Sequence, residues 1–153
     1  MKKLSFTAAD VKRACNELLI STFPDIAIYG NGTVDGYKRP SFFTELLVTH
    51  DSNGRYQISS SYTFKATYFE ATHDEARCFE IYETVREAFD DALIIKKDGR
   101  KYRLIVDTVE FQWIDTNADK MQITIDFMEA AEVGRKTDDA ETAAFIEANI
   151  REV

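Results

Sequence analysis

Apolar and polar residues alternate along this chain in two rhythms, one helical and one extended. Val11, Ala14, Cys15, Leu18, Leu19 and Thr22 recur every three or four residues, which places them on one face of a helix. Thr7 followed three residues later by Asp10 supplies a start signal, and Phe23-Pro24 a stop. The run Ile26–Tyr29 predicts a short strand, and Ser41 to about Thr49 predicts a second. Between them Gly30, Gly32 and Gly36 let the backbone turn, and Pro40 forces Arg39 into an extended conformation that delivers the chain into the strand at Ser41. His50-Asp-Ser-Asn-Gly54 then predicts a hairpin turn. From Tyr56 the period becomes two. Tyr56, Ile58, Ser60, Tyr62, Phe64, Ala66 and Tyr68 point one way, and Gln57, Ser59, Ser61, Thr63, Lys65 and Thr67 the other, as in a long half-exposed strand antiparallel to the one before.

Thr72-His-Asp-Glu75 has the spacing of a capping box, so a helix is expected from about His73 to Ala92, with Cys78, Ile81, Tyr82, Val85, Ala88, Phe89 and Ala92 as its apolar stripe. Lys97-Asp-Gly-Arg100 marks a tight turn. A strand over Lys101 to about Ile114 and another with Met121, Ile123, Ile125 and Phe127 facing inward then form a hairpin. Residues 133–139 are polar and predict a linker, and Asp138-x-x-Glu141 opens a short acidic helix ending near Ile150. The fold class expected is α+β: a mostly antiparallel sheet of about five strands, two main helices packed on it, and a C-terminal helical tail. One domain covers residues 1–132, and residues 133–153 form the linker and tail helix.

Composition narrows the possible functions. Eleven Phe, seven Tyr and one Trp provide a large burial per residue, so folding is expected to need neither metal nor disulfide. The two cysteines, Cys15 and Cys78, lie at apolar helix positions and read as small buried hydrophobes. A net charge of −8 argues against a nucleic-acid surface, which needs clustered Lys and Arg to neutralise phosphates. The longest apolar runs fall far short of the roughly 20 residues that cross a bilayer.

Each enzymatic reading fails for lack of residues. The two histidines, His50 and His73, sit in a predicted turn and a predicted helix cap, without the further histidines that a metal-dependent hydrolase requires. Asp107, Glu110, Asp115 and Asp119 lie near the C-terminal hairpin, but Asp107 shares a strand face with Val109, Phe111 and Trp113 while Glu110 points to the other, so they do not converge. Gly30-Asn-Gly32 precedes a strand, leaving no helix N-terminus to receive a phosphate. The serines fall in strands with no histidine placed to activate them. Neither an enzyme nor a cofactor is expected.

The order of features carries more than any single residue. An amphipathic helix, Phe23-Pro-Asp-Ile-x-Ile-Tyr-Gly30, Gly36-Tyr-Lys-Arg-Pro-x-Phe-Phe43 and a long strand ending in Tyr68-Phe69 together resemble the tail terminator family of Gram-positive bacteriophages and prophages. The resemblance covers roughly residues 5–130 and leaves 134–153 outside it. It implies a non-enzymatic virion protein at the head-proximal end of the tail, assembled in the host cytoplasm. Such proteins form a hexameric ring that stops growth of the tail tube and offers the surface to which the head attaches. The implied partners are further copies of the chain, the tail tube protein, a head-completion or connector protein and, in sheathed tails, the sheath protein. No sequence-specific nucleic acid and no membrane are among them. Candidate interface residues are Asn31, Gly32, Thr33, Val34 and Asp35 of the glycine loop, Lys38, Arg39, Lys65, Arg100 and Lys101. A head–tail connector or tail-completion protein is the alternative within structural proteins, and a small domain with an aromatic ligand pocket is the alternative outside them.

Overall fold

The computed structural model describes residues 6–30, 36–52, 58–114, 116 and 118–133. Two helices, α1 (Ala8–Thr22) and α2 (Glu75–Phe89), pack on one six-stranded sheet. Its strands are β1 (Ala27–Tyr29), β2 (Ser41–Ser52), β3 (Ile58–Phe69), β4 (Ala92–Lys97), β5 (Arg100–Trp113) and β6 (Lys120–Val133), in the order β1-β2-β3-β6-β5-β4. All neighbouring pairs are antiparallel except β1–β2, where Ala27–Tyr29 run parallel to Ser41–Phe43. The sheet is therefore mixed and has six strands, in place of the five expected. The expected linker and tail helix fall on residues 134–153, outside the described residues except for Val133, which ends β6.

The helix starts show local chemistry at work. At α1 the Thr7 side chain accepts from the Asp10 backbone, and Asp10 Oδ2 accepts from Thr7 N at 2.8 Å, a complete capping box. Asp10 is also the anchor of β4 on α1, because Lys97 Nζ donates to Asp10 Oδ2 at 2.7 Å and Arg13 pairs with Oδ1. The hydrogen bonds from Lys97 first and then Thr7 hold the buried carboxyl well below the usual carboxylate range. At α2 the cap is Asp74, whose side chain accepts from Arg77 N at 3.0 Å, and not Thr72 as the capping-box spacing predicted. Asp74 fits because a carboxylate satisfies the free N–H groups and complements the helix dipole at once.

The fourth strand was hidden by its own composition. Ala88, Phe89 and Ala92 continue the helical stripe, so the sequence predicts helix to Ala92. The helix instead stops at Phe89, because Asp90 adopts φ 52°, and Ala92–Lys97 turns back along β5. Asp98 and Gly99 both have positive φ in the two-residue turn joining β4 to β5, the chemistry expected of Asp-Gly in a hairpin. β2 likewise runs through His50–Ser52, which the sequence reading gave to a turn; Asn53-Gly54 lies outside the described residues.

The core lies between the helices and one face of the sheet. Phe42, Phe64, Ala66 and Tyr68 of β2 and β3, Met121, Ile123 and Ile125 of β6, and Val11, Cys15, Leu19, Cys78, Val85 and Phe89 of the helices are fully buried. The alternation expected for β3 and β6 is present over Ser61–Phe69 and Met121–Phe127. In β5 it is not, because two opposite register shifts interrupt the ladder, with one residue extra on β6 between Leu104 and Val106 and one extra on β5 between Val106 and Thr108. Leu104 and Val106 face inward before the irregularity and Val109, Phe111 and Trp113 after it, so Asp107 is exposed and does not join their face.

Candidate assembly surface

The face of the sheet away from the helices has no layer over it among the described residues, and two kinds of chemistry occupy it. At the end where β2 begins, Tyr29, Tyr37, Phe43 and Phe69 form an aromatic cluster. Ring centroids are 5.1 Å apart for Tyr29–Phe43 and Tyr37–Phe43, 5.0 Å for Phe43–Phe69 and 5.4 Å for Tyr37–Phe69. Arg39 lies over it, 5.7 Å from the Tyr37 centroid and 5.4 Å from that of Phe69, with Lys120 5.8 Å from Phe69. The same guanidinium donates to the Glu70 carbonyl and to Asp119 Oδ2, each at 3.2 Å.

Arg39 thus ties three distant segments together: the end of the glycine loop, the end of β3 and the β5–β6 connection. A second knot lies just beneath. Glu70 N donates to the Asp119 carbonyl at 2.7 Å, and the buried Glu70 carboxylate accepts from Tyr68 Oη at 2.6 Å and Ala71 N at 2.9 Å. Burial, reinforced by Glu70, pushes the Tyr68 phenol well above its ordinary range. Cys78 Sγ donates to the Ala118 carbonyl at 3.8 Å, and burial raises its thiol to about 11; Cys15 is raised by burial as well. Both thiols are free, buried and held protonated, in keeping with the apolar role read from the sequence.

Further along the same face the side chains are short and polar. Asp126 accepts from Thr63 Oγ1 at 2.6 Å and Thr108 Oγ1 at 3.0 Å, linking β3, β6 and β5, and Gln122 Nε2 donates to Thr67 Oγ1 at 3.2 Å. Lys65 sits in this field with Glu45 of β2 and Thr124 of β6 as its register neighbours.

The basic residues singled out in the sequence therefore occupy three separate places. Lys38 and Arg39 are at the aromatic end, Lys65 is in the middle of the uncovered face, and Arg100 and Lys101 begin β5 at the opposite end of the sheet. They form no single patch. Lys38 and Arg39 are both exposed, and Arg39 also makes contacts within its own chain. Asn31, Gly32, Thr33, Val34 and Asp35 lie outside the described residues. The aromatic cluster itself was missed, although Tyr29, Tyr37 and Phe43 all stand in the motif that carried the resemblance. Phe43 and Phe69 are diagonal neighbours on β2 and β3, on the face that alternation assigns to the outside, and that signal was available.

Comparison with protein families matches residues 10–139 to a model described as phage tail terminator protein. The chain belongs to this family. A tail terminator is a structural component of the phage tail. No curated protein matches the chain. One solved structure aligns with 82% of this chain and 92% of its own at 11% identity and a TM-score of 0.49, a likeness that carries no functional weight. Among the described residues no cluster of three His, Cys, Asp or Glu is placed to hold a metal, and no helix is long and apolar enough to cross a membrane.

Proposed function

We propose that this tail terminator caps the head-proximal end of the tail tube as a hexameric ring, stops tube growth and provides the surface to which the head attaches. The observation that carries the reading is the family match over residues 10–139. The architecture supports it: the core lies on one side of the sheet, and among the described residues the other side is uncovered, polar along most of its length and aromatic at one end. A ring closes through heterologous contacts, in which one surface of each copy meets a different surface of the next, and its geometry limits growth. Its partners are the tube protein below, a head-completion or connector protein above and, in a sheathed tail, the sheath. Lys38, Lys65, Arg100 and Lys101 serve as contacts on separate surfaces of the ring, and Asn31–Asp35 reaches a neighbour or the tube.

The purified chain is expected to show rings by electron microscopy and a multiple of the single-chain mass in solution. Particles lacking it are expected to carry tails of unregulated length without heads. Deletion of Asn31–Asp35 is expected to leave the fold intact while impairing ring formation or capping. A single-chain mass at high concentration, together with tails of normal length and normal head attachment in its absence, would overturn the reading.

A further inference from the structure

Two strands of the sheet lose a partner part-way along their length. β1 covers β2 only at Ser41–Phe43, and β4 covers β5 only at Arg100–Ile105. Beyond those points, among the described residues, no strand pairs with the outer edge of β2 from Thr44 onward or of β5 from Asp107 to Trp113; Val106 N donates to the Asp91 carbonyl at 2.9 Å, and the Val109 carbonyl accepts from Tyr82 Oη at 3.2 Å, a side-chain bond that leaves the carbonyl a second lone pair. Half the residues along an antiparallel edge direct N–H and C=O groups away from the sheet, and an open edge of this length is a template for another strand.

The two edges match each other in level, polarity and face. Following the register across the sheet, Thr44 aligns with Ala66, Ile123 and Phe111, and Leu46 with Phe64, Ile125 and Val109, so both edges span the same rows. Three successive antiparallel pairings make β2 and β5 run in opposite directions. A copy rotated about an axis alongside the strands would set its β2 beside this β5 in antiparallel fashion, with the helices on the same side in both. Each edge also bears apolar surface that its own chain leaves uncovered. Leu47 and Val48 are 41% and 47% exposed on β2. Beside β5, Phe79 of α2 is 42% exposed while stacking on Phe111 at 5.1 Å and Trp113 at 5.8 Å.

We infer that neighbouring copies join edge to edge, β2 (Thr44–Val48) of one pairing antiparallel with β5 (Val109–Trp113) of the next, so that the sheet continues from copy to copy. This rests on the ring proposed above and specifies how it closes. One register avoids placing Glu45 against Glu110, which lie in the same row: it is offset by two residues, setting Leu46 beside Phe111, Val48 beside Val109 and Glu45 beside Gln112.

The test uses the full chain and two kinds of variant. Val48→Cys combined with Val109→Cys is expected to give disulfide-linked multimers under oxidising conditions, with neither single variant doing so. Within one chain these positions are three interstrand spacings apart, about 14 Å, too far for a disulfide, so any link joins two copies. Val48→Lys, or Leu47→Lys should the first variant fail to fold, is expected to abolish the oligomer while far-UV circular dichroism stays as in the parent. Ile94→Lys on β4, at a site 44% exposed, is expected to leave the oligomer intact. Rings that survive both lysine variants, or cross-links formed by a single cysteine variant alone, overturn edge pairing and leave the ring standing. A parent chain that stays single both free and on purified tails overturns ring and pairing together.

Discussion

On the helix side of the sheet, Phe42, Phe64, Tyr68 and Ile125 are fully buried and each touches residues from other elements. On the opposite side, Lys65, Thr67 and Thr124 are next to Phe64, Tyr68 and Ile125 along the same strands, with Glu45 beside Lys65 on β2, short or charged groups joined by a few hydrogen bonds. The same backbone thus supports two surfaces with different obligations. The inner one must exclude water to hold the fold, and its identities are fixed by volume. The outer one is released from that demand except at the aromatic end, so its composition is free to serve contacts with other molecules.

That contrast can be broken at three depths. Phe64→Ala should cost about 3–5 kcal/mol, because a large ring is removed from a site with no solvent to refill it; denaturant unfolding would measure this, and a loss below 1 kcal/mol would mean the core is looser than its burial indicates. Arg39→Ala should cost about 1–2 kcal/mol, since a half-exposed guanidinium gives up two ring contacts and its bonds to Glu70 and Asp119. Its effect should appear in thermal unfolding and not be rescued by Lys, which cannot bridge two acceptors in one plane. Lys65→Ala should change stability by no more than about 0.5 kcal/mol. If it weakens assembly measured by light scattering while the melting curve stays put, the outer face is a contact surface; a large stability loss with assembly unchanged would place it among the structural residues.

Much of the inner side was readable in advance, because it obeys period. The α1 stripe and its Thr7–Asp10 cap, the buried positions of β3 and β6, and the Asp98-Gly99 turn all follow from local rules. Where sequence reasoning failed, a local rule met a competing one. Ala92 continued the helical stripe by accident, and the backbone reversal at Asp90 separates it from α2. Thr72 matched a capping pattern that Asp74, two residues on, satisfied better. The irregularity in β5 shifted Asp107 off the face that strict alternation gave it. On the candidate surface, Arg39 also bonds the Glu70 carbonyl and Asp119, and no spacing in a single sequence reveals partners that far along the chain.

The seam between β3 and β6 bears on how the protein comes into being. Tyr62–Phe69 pairs with Lys120–Phe127, segments about 50 to 65 residues apart, whereas β2–β3 and β5–β6 are each joined by a short connection. At about 5–20 residues per second, a ribosome delivers β6 some 3 to 12 seconds after β3. During that interval the first hairpin has an apolar side containing Tyr62, Phe64 and Ala66 and no second hairpin to lie against. Newly made chains are therefore most prone to stick to one another before release, and a slower codon stretch between residues 70 and 120 should lower the yield of soluble protein without altering a single side chain.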